Sequence, residues 1–97
     1  MNFETWNMKL WIDSDQSMRL YWRQRAQEIK EHPTYINEYM SLDRRIVTEL
    51  SKELDVYFDN LALDFMGNQA SCFADILNNA LNEVSWKDIA ESLLNDL

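Results

Sequence analysis

The stretch EVSWKDIAESLLNDL, residues 83–97, decides the fold class. Ser85 is placed to cap the start of a helix, Asp88 three residues on can reach back to complete a capping box, and Val84 can pack on Ile89 as a hydrophobic staple. The helix that begins at Trp86 carries Trp86, Ile89, Ala90, Leu93, Leu94 and Leu97 at the i, i+3, i+4, i+7 spacing of one buried stripe. An amphipathic helix this regular needs partners of the same kind.

The neighbouring segments supply them. Ser71 can cap a helix whose one face is Phe73, Ile76, Leu77, Ala80, Leu81 and Val84, with Asp75, Asn78, Asn79, Asn82 and Glu83 turned away. Before it, Val47, Leu50, Leu54, Tyr57, Phe58, Leu61 and Phe65 trace a stripe along a helix from Leu42 to Met66 that Gly67 stops. At 1.5 Å per residue that helix runs roughly 35 Å and forms the centre of the bundle. Met18, Tyr21, Trp22, Ala26 and Ile29 place another helix between Asp15 and His32, closed by Pro33. Thr34 is positioned to cap a short turn of helix through Tyr35, Ile36, Tyr39 and Met40, with a break near Ser41 that keeps Asp43 off the apolar stripe. The expected architecture is a single all-α domain, residues 1–97, a bundle of four to five helices around one long central helix.

Composition agrees. One glycine and one proline leave little material for hairpins, sheet corners or phosphate-cradling loops. No apolar run approaches the roughly 18 residues of a membrane span, and no basic region followed by an apolar stretch marks a signal peptide, so a cytoplasmic location is expected. The lone Cys72 suits a reducing compartment and reads as a buried apolar thiol.

The opening FETWNMKLWIDSD is less decided by its pattern. Trp6, Met8, Leu10 and Ile12 alternate as a strand does, whereas Trp6, Leu10 and Trp11 fit a helix capped by Thr5. A strand needs a partner and no second strand is visible, so a short helix ending near Asp13 is expected, with Trp6 and Leu10 buried. Asp13 and Asp15 then cap the helix that follows. Trp11 is the aromatic anchor of a partner interface if it faces solvent.

No reaction is spelled out. Nucleophilic catalysis needs a base beside the nucleophile, and the only histidine, His32, stands next to proline at a helix end with no motif linking it to Cys72. Glu28 and His32 at i, i+4 make two metal ligands, which is short of a site. DSDQSM resembles the start of a calcium loop at Asp13, Asp15 and Ser17 but has Met18 where glycine belongs and Gln24 where the bidentate glutamate belongs. No cofactor or metal is expected, and the chain reads as a non-enzyme.

Charge is more informative. Residues 1–52 carry eight acidic and eight basic side chains, whereas residues 53–97 carry nine acidic ones against Lys87 alone, so the net charge of −8 belongs to the C-terminal half. That half is a poor ligand for nucleic acid, whose binding depends on lysine and arginine. Asp55, Asp59, Asp64, Asp75, Glu83, Asp88 and Glu91 are the candidate partner-binding residues of an acidic face. Duplex DNA has one charge per about 1.7 Å, so imitation of it would require two or three such helices side by side. Arg19, Arg23, Arg25 and Lys30 form a local basic patch, through which a second copy could meet the acidic half as a homodimer or larger assembly.

TWNMKLWIDSD, at residues 5–15, resembles the Thr-Trp-Asn-x-x-Leu-Trp-Ile-x-x-Asp signature of a family of small uncharacterised proteins carried by bacteriophages, plasmids and some bacteria. FADILNNALNEVSWKDIAESLL resembles that family's second block, a Leu-rich helix followed by a Val-x-Trp-x-x-Ile-Ala helix. The two blocks span roughly a third of the chain. Met8 after Asn7, and Asp13-Ser14-Asp15 where relatives often have Asn-Asp, are departures. The resemblance implies no catalytic residue. It implies an accessory protein of a mobile element that disarms a host nucleic-acid-handling defence complex, of the anti-CRISPR or anti-restriction type, with Thr5, Trp6, Asn7, Leu10, Trp11 and Ile12 as the family-defining motif.

Overall fold

The structure is a computed structural model that describes residues 2–66 and 72–97. It is an all-α bundle of five helices: α1 (Phe3–Ser14), α2 (Gln16–Glu31), α3 (Leu42–Met66), α4 (Cys72–Glu83) and α5 (Trp86–Asn95). The described residues contain no strand, and none of their helices is long and apolar enough to cross a membrane. Gly67 and Ser71, the expected stop of α3 and cap of α4, lie outside the described residues.

The core is built by α2, α3 and α5. Trp22 of α2, Leu50, Leu54 and Phe58 of α3, and Trp86, Ile89 and Ala90 of α5 are buried together. A ladder of rings joins the three helices: Trp22 stacks on Phe58 with centroids 6.2 Å apart, and Phe58 stacks on Trp86 at 5.2 Å. Tyr57 meets the Trp22 ring at 89°, edge to face. α2 and α5 both run antiparallel to α3, because Trp22 and Trp86 meet its middle while Arg25 bonds Glu53 and Glu91 lies beside Asp43.

Helix length explains where the expected α3 stripe is interrupted. At 1.5 Å per residue α3 is about 37 Å long and α5 about 15 Å, and α5 begins opposite Phe58 and runs back toward Asp43, so it leaves the last turns of α3 uncovered. Leu61 and Phe65, expected in the core, are therefore exposed, as is Leu63, and Tyr57 is only partly covered. Tyr21 of α2 is likewise half-exposed. In α4 only the C-terminal end of the apolar face is covered, at Leu81; Phe73 and Ile76 stand in solvent. Cys72, expected as a buried thiol, is exposed at the start of the same helix.

Three local expectations change. Asn2, not Thr5, caps α1: its Oδ1 accepts the Thr5 N–H at 2.8 Å. Asp15 caps α2 through the Met18 N–H, but Asp13 instead pairs with Lys9 at 2.7 Å across one turn of α1. Residues 34 to 40 form no helix. The Glu49 carboxylate accepts from the Thr34 N–H and hydroxyl and from the Tyr35 N–H, which ties the start of this segment to α3. Lys52 lies over the Tyr35 ring at 4.4 Å and holds the same loop against α3.

Candidate protein-binding surface

α1 is positioned by two residues seven apart. Thr5 and Ile12 are fully buried, and seven residues of helix bring a side chain back to within about 20° of its starting direction. The Thr5 hydroxyl accepts the Ser85 N–H at 2.8 Å, and the Asn2 side-chain amide donates to the Glu83 carbonyl. The N-terminus of α1 therefore grips the joint between α4 and α5. This also modifies the expected capping box. The Ser85 hydroxyl accepts the Asp88 N–H at 3.3 Å, but the reciprocal bond to the Ser85 N–H comes from Thr5 instead of Asp88.

With Thr5 and Ile12 inward, the aromatic side of α1 faces out. Trp6 is 53 % exposed, Leu10 47 % and Trp11 68 %, which reverses the expectation that Trp6 and Leu10 are core. Phe3, 70 % exposed, lies 6.3 Å from the Trp6 ring. The signal for this was present in the sequence: α1 has apolar residues around its whole circumference, and a helix at the edge of a small bundle can bury only one side. Trp11 and Phe3 also line a groove of about 330 Å³ between α1 and α4, floored by Leu77, Leu81 and Val84.

The seven acidic candidates are not one stripe. Asp55 and Asp59 stand side by side on α3, one turn apart, and Asp55 reaches Trp86 at the start of α5. Desolvation beside α5 raises the Asp55 pKa above the usual aspartate range, the neighbouring Asp59 charge and hydrogen bond raise it further, and the bond to Trp86 opposes them. Asp64, five residues beyond Asp59, is turned about 140° from it by the helix. Asp75 and Glu83 are exposed on α4, and Asp88 is half-buried in the first turn of α5. Glu91 lies at the other end of the α3–α5 seam, 3.9 Å from Lys87. Among the described residues, no ion pair includes Asp55, Asp59, Asp64, Asp75, Glu83 or Asp88.

A raised carboxyl pKa means that the folded chain holds the proton more tightly than the unfolded chain. The Asp55–Asp59 pair therefore costs stability at neutral pH, and the cost disappears as pH falls below the ordinary carboxylate range. Asp55→Asn should raise the urea midpoint at pH 7 by the equivalent of about 0.3 kcal/mol, the size of an exposed like-charge pair one turn apart, with no gain at pH 3. An equal gain at both pH values would rule out the charge as its cause.

The basic patch is smaller than expected. Arg25 turns inward, donating Nε and Nη2 to the two oxygens of Glu53 at 2.6 and 2.9 Å and Nη1 to Glu28. Its pKa is raised by the Glu53 hydrogen bond above all. Arg19, Arg23 and Lys30 stay exposed, Lys30 beside the Asp43 and Glu91 carboxylates of the α3–α5 cleft. Glu28 and His32 do share a pocket with Glu49, but both carboxylates already accept internal hydrogen bonds.

No protein-family model, curated protein or solved structure matches this chain. The surface itself carries the functional reading.

Proposed function

We propose that the protein acts by binding another protein and not by catalysis. The observation that supports this is the outward-facing Phe3, Trp6, Leu10 and Trp11 of α1, held in that orientation by Thr5 and Ile12. Exposed tryptophans are costly to leave in water and are enriched among the residues that dominate binding energy. A net charge of −8 concentrated in residues 53–97 favours a partner with a basic surface. The resemblance of the two terminal blocks to mobile-element proteins makes a host nucleic-acid-handling defence complex the partner class, inhibited by occupation of its basic surface. Asp55 and Asp59, in no ion pair among the described residues, are the best-placed charges for that contact. Their arrangement supports recognition of a basic protein patch more than tracing of a DNA duplex, since Asp64 and Glu91 point elsewhere.

The test is retention of host nucleases and other nucleic-acid-binding complexes on the immobilised protein at low and high salt, beside an Asp55→Lys/Asp59→Lys variant. Retention at low salt by the native protein, lost in the variant while its circular dichroism is unchanged, is the expected result. Equal retention by both would exclude the acidic pair. Assembly of the chain with itself is the alternative role, and it would appear as a salt-sensitive rise in mass by sedimentation. Arg25's commitment to Glu53 leaves Arg19, Arg23 and Lys30 as the basic surface for that alternative.

A further inference from the structure

Going beyond the protein-binding reading, we infer that Tyr21 and Tyr57 form an oxidative cross-linking site, at which two one-electron oxidations join α2 to α3 through a dityrosine bond. The two rings stand on different helices with centroids 6.0 Å apart and planes inclined by 31°. Helix register puts them there. α2 and α3 run antiparallel, Arg25 of α2 holds both oxygens of Glu53, and one turn further along each helix Tyr21 comes opposite Tyr57. Trp22 fixes the pair from inside: its buried ring meets Tyr21 at 82° with centroids 5.0 Å apart, and Tyr57 at 89° and 5.2 Å. Both phenols still reach solvent, Tyr21 being 46 % and Tyr57 36 % exposed. Among the described residues no other two tyrosines are in ring contact.

The coupling needs two phenols in contact, an oxidant and a proton acceptor, and water is the acceptor at a half-exposed ring. Each phenol gives one electron to the oxidant and its O–H proton to water. The two phenoxyl radicals then pair their electrons in a carbon–carbon bond between ring positions ortho to oxygen, and each displaced ring hydrogen moves to its oxygen and restores the phenol. The net loss is two electrons and two protons, which reduce hydrogen peroxide to two molecules of water when a haem peroxidase carries the electrons. An electron vacancy on Trp22 would end at the same place. Its buried indole N–H has no acceptor among the described residues to take the proton, whereas both neighbouring phenols can release theirs to water. Exposure alone would select Tyr39 instead, which is 90 % exposed and touches no other ring among the described residues. A radical there meets only radicals on other molecules, and its product is a covalent dimer.

The test treats the full chain, dilute, with a haem peroxidase and a small excess of hydrogen peroxide, then maps tryptic peptides by mass spectrometry. Cleavage after lysine and arginine puts Tyr21 in peptide 20–23, Tyr57 in 53–87, and Tyr35 and Tyr39 together in 31–44. The expected product is a monomer lighter by two hydrogen atoms, with dityrosine fluorescence and with 20–23 joined to 53–87. Tyr21→Phe and Tyr57→Phe, which keep the packed rings, should each cut that product about tenfold, whereas Tyr39→Phe should change it less than twofold. The linked chain should melt about 10 °C higher, because the bond closes residues 21–57 into a loop and restricts the unfolded state. Three results would each overturn the assignment: covalent dimers joined through 31–44 as the main product, a 20–23 to 53–87 link that survives in either phenylalanine variant, or no dityrosine from the native chain while free tyrosine in the same reaction is coupled. Neither tyrosine belongs to the α1 surface or to the Asp55–Asp59 pair, so the outcome is independent of partner capture.

Discussion

Trp22→Ala should destabilise the protein by about 3–5 kcal/mol, the range for removing a buried tryptophan from a packed core. A chain of this size has roughly 5–15 kcal/mol in total, so the variant loses about a fifth or more of its stability and its Tm falls by roughly 15–30 °C. Trp22 is fully buried at the meeting of all three core helices, against Tyr57 and Phe58, and Phe58 in turn stacks on Trp86. Its removal opens the seam along which both α2 and α5 lie on α3. Among the described residues the buried indole N–H has no hydrogen-bond acceptor, and the ring is held there by packing. Trp22→Phe should therefore cost less than half as much, because it keeps an aromatic ring and removes an unsatisfied donor. Urea denaturation of the two variants checks this; equal losses would mean that the N–H, and not the ring volume, matters.

Thr5→Val should cost about 1–3 kcal/mol, although it is nearly isosteric and at a fully buried position. The valine cannot accept the Ser85 N–H, and that amide is left without a partner at the start of α5. Thr5→Ser keeps the acceptor and should cost under about 1 kcal/mol, the value of roughly one buried methyl group. The specific readout is hydrogen exchange of the Ser85 amide, which should accelerate in Thr5→Val and stay protected in Thr5→Ser. A Thr5→Val protein of unchanged stability with a protected Ser85 amide would show that α1 is held by Ile12 and not by this bond. The result bears on function, because Thr5 and Ile12 together set the rotation of α1 and hence which aromatics face a partner.

The start of α5 illustrates what was legible. Ser85 caps it and Ile89, Ala90 and Leu93 are buried, all readable from spacing within fifteen residues, because caps and stripes are local. The break before α3 was equally local: Ser41 Oγ accepts the Arg44 N–H at 3.3 Å and the helix begins at Leu42. Arg25 and Glu49 were not readable, since their partners lie 28 and 14 to 15 residues away and depend on how α2 and the following loop lie on α3. The docking surface falls between these cases. Apolar residues around the whole of α1 require that some of them face out, but their pattern does not say that Phe3, Trp6 and Leu10 are the ones.

The sequence by itself determined that the chain is helical, where α2, α3 and α5 begin, which residues share a face, and that the negative charge belongs to the second half. Only the tertiary structure decided which of those faces are covered. Periodicity fixes the direction of a side chain about its own helix axis, whereas burial depends on whether another helix is long enough and close enough to reach it. α5 begins only at Phe58 and leaves the last turns of α3 bare, α1 covers only one end of α4, and the Thr5–Ser85 bond turns α1 so that its tryptophans point away from the core.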